Sequence, residues 1–354
     1  MKRVTFLLLL TALLLCGCGI QFRDPLPSEV VPTYPSTTAP TQESSTPPTE
    51  ESTVPTEAPT QTPTEAPTQA PTEAPTQAPT QPPIQTGWTE SNGHRFYLDE
   101  TGTPVTGWQD LEGKRYYFND LGILQTGWLT TKEGRYYLKA DGSMARGEVK
   151  IDGVNHFFTS TGKELVVVNP WNYVPKDYEM DLVKLSTSIA VSGMKVDRSC
   201  YDALAEMIKD CNKKSGAKVC VLSSYRSIER QTTNYNNKVQ YWMNKGYSKS
   251  DAKAKAATSV AVPGTSEHHL GLAVDIIDTR LWKLTSDQEK LSGQKWLMKN
   301  CWKYGFILRY PKGTTDITGI IYEPWHYRYV GKELAAEIHE LGGITLEEYF
   351  ASLS

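Results

Sequence analysis

The sequence predicts a C-terminal α+β domain, preceded by a solenoid of β-hairpins and by a disordered stalk rich in proline and threonine. Three observations predict this order. Helical and strand patterns are mixed over residues 169–354, a Gly-Trp motif recurs every twenty residues within 86–168, and Pro, Thr, Glu, Gln, Ala and Ser dominate 19–85. The 354 residues suffice for about two folded domains, and the net charge of −3 gives no indication of a nucleic-acid partner.

Residues 1–18 are similar to the signal of an exported bacterial lipoprotein. Two basic residues precede an apolar run at positions 4–15, which is too short to span a bilayer. The Leu-Cys-Gly-Cys that follows resembles a lipobox, and Cys18 fits the lipidated position because the small Gly17 precedes it. This resemblance implies a lipid anchor on the outer face of the membrane, and the alternative is plain secretion with cleavage nearby.

The stalk, residues 19–85, has too few apolar side chains to bury a core. Proline recurs every four residues between positions 59 and 79. Frequent proline favours extended polyproline II, at up to about 3.1 Å per residue. The stalk is therefore expected to stay disordered and to hold the folded part away from the membrane.

Residues 86–168 are predicted to form a solenoid. Trp88, Trp108 and Trp128 each follow a glycine at a spacing of twenty residues, and an aromatic pair follows each of them at the same period. Turn sequences such as DETG and NDLG separate the units. Each unit is therefore predicted to be a short hairpin that needs its neighbours for stability.

These units resemble the cell-wall-binding repeats of choline-binding proteins, glucan-binding proteins and clostridial toxins. The resemblance implies binding of a wall polymer or glycan, although any single aromatic could equally be solenoid core. Choline-binding forms carry a further Trp that helps to cage the quaternary ammonium. Arginine stands at those positions here, which disfavours choline and suits a polyanion or a carbohydrate. The arginines are Arg95, Arg115 and Arg135, and the candidate wall-binding aromatics are Trp88, Trp108, Trp128, Tyr117 and Tyr137.

Two segments of the C-terminal domain, residues 169–354, carry candidate metal ligands. LAVDII is predicted to be a strand in which Asp275 shares a face with Ala273, and a carboxylate there is costly unless it is paired or binds a metal. His268 precedes this strand, beyond a turn at Gly271. Histidine and aspartate are both good zinc ligands.

The second segment, YEPWHYRYVG, contains Glu323 and His326. Pro324 disfavours a helical Glu323, so the pair must converge through a loop rather than in a helical HExxH arrangement. His326 would complete three protein ligands and leave a fourth position for water, whose pKa zinc lowers toward about 7. A glutamate beside such a water can take its proton.

A third segment, SSYRS, places Arg226 where a predicted strand ends and a helix begins. The helix N-terminus and the guanidinium both favour an anion at this point. A substrate carboxylate or a developing oxyanion would suit it. The same domain holds four cysteines, for which three disulfide pairings and buried free thiols all remain open: Cys200, Cys211, Cys220 and Cys301.

In this order the three segments resemble the VanY-type D-alanyl-D-alanine carboxypeptidases, whose zinc fold is shared with the dipeptidases of vancomycin resistance and the hedgehog signalling domain. The family patterns S-x-H-x-x-G-x-A-x-D, E-x-W-H and Y-R-S…Q begin at Ser266, Glu323 and Tyr225. The resemblance implies an α+β zinc peptidase domain with one Zn²⁺ held by His268, Asp275 and His326.

The same resemblance implies roles for the other motif residues. Glu323 would be the general base and Arg226 would stabilise the transition state, while His269 falls at an unconstrained position and is expected to be idle. Further substrate contacts would be Ser266, Gln231, Tyr225 and Trp325.

The expected reaction is removal of the C-terminal D-alanine from peptidoglycan stem peptides, at the surface of a Gram-positive bacterium and within reach of its cell wall. L,D-carboxypeptidase, D,D-dipeptidase and endopeptidase activity on the same stems remain alternatives. A non-catalytic wall-binding lipoprotein is an alternative of a different class.

Overall fold

The computed structural model describes residues 83–353. The predicted signal, the candidate lipidation residue Cys18 and most of the predicted stalk lie outside the described residues. Within the described part, no helix is long and apolar enough to cross a membrane.

Hairpins succeed one another with the predicted period. Their tight turns suit the twist of the strands, because pairs such as Asn92-Gly93 and Asp152-Gly153 both take positive φ. A short strand, β9 (Glu164–Leu165), joins the last hairpin. The antiparallel pairs are β1 (Gly87–Ser91) with β2 (His94–Leu98), β3 (Gly107–Leu111) with β4 (Lys114–Phe118), β5 (Gly127–Thr131) with β6 (Gly134–Leu138), and β7 (Gly147–Ile151) with β8 (Val154–Phe158).

After the repeats, two short paired strands lead into the first long helix. The strands are β10 (Leu182–Lys184) and β11 (Lys195–Asp197), and the helix is α1 (Arg198–Ser215). Asp197 caps α1 by accepting a hydrogen bond from the Ser199 N–H, and Gly216 ends it at a φ of 68°.

A four-stranded antiparallel sheet forms the centre of the C-terminal domain. Its spatial order is β12 (Val219–Ser223), β13 (Ala273–Asp278), β15 (His326–Tyr329) and β14 (Phe306–Leu308). Helix α1 and α4 (Ser292–Asn300) pack against it over a buried apolar core. That core includes Leu204, Met207, Ile208, Val219, Val221, Val274, Ile276 and Leu297. The four cysteines of this domain are free thiols.

A helical hairpin follows β12. Its helices are α2 (Ile228–Met243) and α3 (Lys249–Ala257), and the side chains of Ser227 and Ser248 cap their N-termini. Between β14 and the C-terminus lie α5 (Thr315–Thr318), α6 (Lys332–Glu340) and α7 (Leu346–Ser352). The last two helices share a buried cluster with Phe157 and Val167 from the end of the repeats.

Candidate active site

The strand register of the central sheet brings the three predicted segments together. Ser223 at the end of β12 lies opposite Asp275 of β13, and Asp275 lies opposite His326 at the start of β15. A 3₁₀ turn over Glu267–Leu270 precedes β13 and ends at Gly271, whose φ of 70° favours glycine. This turn places His268 beside Asp275.

Two imidazoles and a carboxylate converge at this point. His268 Nε2 lies 3.3 Å from Asp275 Oδ2, and His326 Nδ1 lies 3.1 Å from Asp275 Oδ1. One donor atom from each residue lies within 4.8 Å of the other two, and all three side chains are buried. His268 donates its Nδ1–H to the Ser224 carbonyl at 2.8 Å, which leaves the Nε2 lone pair free for a ligand. This donor set fits a zinc ion with three protein ligands.

Glu267, which no motif singles out in the sequence, approaches His326 from the side opposite Asp275. Its Oε2 lies 3.5 Å from His326 Nε2, and within the described structure neither of these buried atoms has a hydrogen-bond partner. The other carboxylate oxygen, Oε1, accepts hydrogen bonds from Arg309 at 2.8 Å and Arg328 at 3.1 Å. A carboxylate at this position orients the imidazole so that its Nδ1 faces the metal site.

The charges of this network set the pKa values of its members. The two guanidiniums hold the pKa of Glu267 well below its usual range despite the burial of its carboxyl group. Burial disfavours the imidazolium of His326, but its hydrogen bond with Asp275 and the nearby carboxylates of Glu267 and Glu323 outweigh burial and raise its pKa to about 9. Burial and the nearby Arg226 lower the pKa of His268 to about 4. His268 is therefore neutral near pH 7, whereas His326 would have to release a proton to bind a metal ion.

Glu323 and Arg226 flank the three candidate ligands. Glu323 Oε2 lies 3.7 Å from His326 Nδ1, and burial raises the pKa of this carboxyl group to about 8. Arg226 donates to Gln231 Oε1 at 2.7 Å and to Ser223 Oγ at 3.0 Å. Its guanidinium is therefore fixed before any substrate arrives.

A cavity of about 570 Å³ opens over these groups. Of the four further substrate contacts proposed from the sequence, Ser266 and Trp325 line the cavity, whereas Tyr225 and Gln231 do not. Gln231 uses the amide nitrogen of its side chain to donate to the Ala261 carbonyl at 2.6 Å. With both ends of its amide bonded inside the protein, Gln231 holds Arg226 in place.

His269 is not idle, which corrects the expectation from the motif. It is buried, its Nδ1–H donates to the Arg226 carbonyl at 2.7 Å, and its Nε2 accepts from the Gly264 N–H at 3.2 Å. It lies outside the group of candidate ligands and ties two loops of the site together. Pattern spacing contains no information about such a tether, because both partners are backbone groups.

In the repeats, each tryptophan packs edge-on against a tyrosine of its own hairpin. Trp108 meets Tyr117 with ring centroids 5.2 Å apart, and Trp128 meets Tyr137 at 5.1 Å. Trp88 and Trp108 also contact a tyrosine of the next hairpin, so these aromatics connect successive repeats.

An arginine side chain stands over the ring of each of these three tryptophans. The distances from the guanidinium carbon to the ring centroid are 4.7, 5.3 and 3.6 Å for Arg95, Arg115 and Arg135. The chain's own cation thus covers the ring faces that a choline cage would need.

Family models match both folded regions. The D-alanyl-D-alanine carboxypeptidase model, VanY, matches residues 193–332. A choline-binding repeat model matches residues 105–146, and a cell-wall-binding repeat model matches residues 86–103.

The chain is similar to curated proteins named as carboxypeptidases over about half its length. It is 42% identical over 188 residues to a D-alanyl-D-alanine carboxypeptidase of Enterococcus faecalis, an alignment that covers 52% of this chain and 65% of that protein. It is 30% identical over 197 residues to a D-alanyl-D-alanine carboxypeptidase of Enterococcus faecium, with coverage of 53% and 57%. The chain therefore spans less than two thirds of the length of these curated relatives.

A solved structure is similar over the same region. It is a crystal structure of a mutant of the vancomycin-resistance D,D-pentapeptidase VanY from a VanB-type resistance cassette, in complex with Zn(II). The identity is 40%, the match covers 52% of this chain and 97% of that chain, and the TM-score is 0.46. The chain thus carries a VanY-type D-alanyl-D-alanine carboxypeptidase domain, and choline-binding-type repeats precede it.

Proposed function

We propose that the chain is a zinc-dependent D,D-carboxypeptidase that removes the C-terminal D-alanine from peptidoglycan stem peptides at the cell surface. The observation that carries the proposal is the buried group of His268, Asp275 and His326, with Glu323 beside it in an open cavity. The match to the VanY family model and the names of the curated relatives support the choice of substrate.

Each residue of the site has a role in this reaction. His268 Nε2, an Asp275 oxygen and His326 Nδ1 would hold the zinc ion, which supplies a Lewis acid and lowers the pKa of a water molecule. Glu323 would take a proton from the attacking water and pass it to the nitrogen of the leaving D-alanine. Arg226 would bind the C-terminal carboxylate of the stem or the oxyanion that develops on the scissile carbonyl.

The test is mass spectrometry of stem peptides after incubation with the purified full chain. We expect release of D-alanine from a pentapeptide stem, loss of this release in a chelator and recovery with added zinc. Release from a tetrapeptide stem instead would establish the L,D-carboxypeptidase alternative, and internal cleavage would establish an endopeptidase. Absence of chelator-sensitive cleavage of any stem, or full activity in Glu323→Ala, would contradict the proposal and leave the non-catalytic alternative.

For the repeats, we propose binding to an anionic or carbohydrate wall polymer rather than to choline. The support is the row of Arg-Trp pairs, in which a guanidinium already covers each indole face. Full chain bound to purified cell walls should be released by a soluble polyanion or by wall glycan. Release by millimolar choline would contradict this part of the proposal.

We also propose that Cys18 carries the lipid anchor. The support is the lipobox-like sequence around it, together with the match to a cell-wall-binding repeat model. In a bacterium that expresses the chain, Cys18→Ala should move the protein from the membrane fraction to the medium. Unchanged fractionation would argue against lipidation at this residue.

A further inference from the structure

The active-site cavity continues beyond the candidate metal ligands along one face of α2. Asn234, Asn237, Lys238 and Tyr241 line this extension. Their spacing of three, four and seven residues from the first member places all four side chains on one stripe of the helix. The proposed hydrolysis at the metal site does not employ this stripe.

Lys238 gives the extension a positive charge. In the described part of the chain, no carboxylate lies within 4.0 Å of its ammonium, which stands 5.2 Å from the Tyr241 ring centroid and 5.8 Å from that of Trp242. The acidic residues that line the cavity are Asp275 and Glu323, and both lie at the metal end. The α2 wall of the cavity thus presents a cation that the cavity itself does not neutralise.

The length of α2 relates Lys238 to the reaction centre. The Arg226 guanidinium donates to Gln231, which lies seven residues before Lys238, or about 10 Å along the axis of α2 at 1.5 Å per residue. An extended peptide covers this distance in roughly three residues at about 3.3–3.6 Å each. With the C-terminal carboxylate of a stem at Arg226, its second and third residues would come within reach of Lys238.

We infer that Lys238, with the side-chain amides of Asn234 and Asn237, binds a carboxylate of the stem peptide upstream of the scissile bond. This inference rests on the proposed function. The second stem residue offers a free α-carboxylate, because the stem continues through its γ-carboxyl group, and a diaminopimelate at the third residue offers another. Amidation neutralises either group, so Lys238 would make the enzyme prefer stems that are not amidated.

The test compares pentapeptide stems that differ only in amidation. One pair carries a free or an amidated carboxylate at the second residue, and another pair differs in the same way at a third-residue diaminopimelate. The kinetics of D-alanine release are measured for the zinc-loaded full chain, for Lys238→Gln and for Lys245→Gln. Lys245 is a matched control because its ammonium stands over the same Tyr241 ring, at 5.8 Å, but does not line the cavity.

In one of the two pairs, we expect the wild-type chain to show a KM about tenfold lower for the stem with the free carboxylate than for the amidated stem. A charge-assisted hydrogen bond to Lys238 would produce a difference of this size. The responsive pair identifies which carboxylate is bound. Lys238→Gln should abolish the difference, mainly through KM, because the contact lies far from the reacting atoms. Lys245→Gln should retain it.

Two results would overturn the inference while leaving the carboxypeptidase in place. One is equal KM values for free and amidated stems in the wild-type chain, and the other is a preference that survives in Lys238→Gln. In Lys238→Glu the preference should reverse in favour of the amidated stem, and an unchanged preference in that variant would count against the inference as well. Absence of D-alanine release from every stem would overturn the proposed function and this inference with it.

Discussion

The buried carboxylate behind His326 allows a prediction whose size can be worked out from the structure. The change is Glu267→Gln, which keeps the shape of the side chain and removes its negative charge. In the wild-type chain, Glu267 and Glu347 balance the guanidiniums of Arg309 and Arg328, both of which are fully buried. After the change, one buried guanidinium charge has no counter-charge.

The expected cost follows from this imbalance. Removing one member of a buried ion pair typically destabilises a protein by about 3–5 kcal/mol. We expect a value near the lower end, about 3 kcal/mol, because Arg309 keeps two hydrogen bonds to Glu347 at 2.7 and 2.9 Å. Loss of the carboxylate that orients His326 should also weaken zinc binding by roughly 10–100-fold.

Glu347→Gln is the matched control for this prediction. Glu347 belongs to the same network through Arg309 but lies on α7 and makes no contact with His326. Urea unfolding of the chelated proteins should show a loss of stability in both variants, whereas competition with a chromophoric chelator should show weaker zinc binding only in Glu267→Gln. Equal zinc affinities in the two variants would refute the role that we assign to Glu267.

Four further substitutions test other parts of the structure. His268→Ala should abolish zinc binding in the same chelator competition, whereas His269→Ala should retain it and lose about 1–3 kcal/mol in urea, because two buried backbone groups lose their partner. Gly271→Ala should lose about 1–2 kcal/mol, because its φ is 70° and the added Cβ would lie 3.0 Å from a backbone nitrogen; an unchanged unfolding midpoint would contradict this. Phe157→Ala should lose about 3–5 kcal/mol in calorimetry, and a smaller loss would show that the last hairpin does not share a core with α6 and α7.

Features that depend on neighbouring residues could be predicted from the sequence. The caps at Ser227 and Ser248 and the stop at Gly216 were predictable because a helix end is set by side chains one to three residues away. The predicted ligands His268 and Asp275 belong to one short motif. The structure adds the cross-strand register that brings His326 beside them.

Features that depend on distant residues could not be predicted. Glu267 stands between two motif residues and its sequence context resembles that of a surface glutamate, yet its partners Arg309 and Arg328 lie 42 and 61 residues away. Gln231 was expected to contact substrate, and its bonds to Arg226 and to a loop 30 residues away depend on how that loop folds back. The partners of Glu267 and Gln231 come together only in the folded domain, so their roles cannot be predicted from the neighbouring sequence.

The same buried network links the repeats to the catalytic cavity. Arg328, which binds Glu267 behind His326, also donates to the Val166 carbonyl at 2.8 Å. Nearby, the Ser160 hydroxyl donates to Glu337 of α6 at 2.8 Å. Because these contacts and a shared apolar cluster join the last hairpin to the C-terminal helices, a polymer bound on the repeats would stand at a fixed orientation to the cavity. Binding to this polymer would therefore raise the local concentration at the cavity only for stem peptides that can reach Arg226 from the bound position of the polymer.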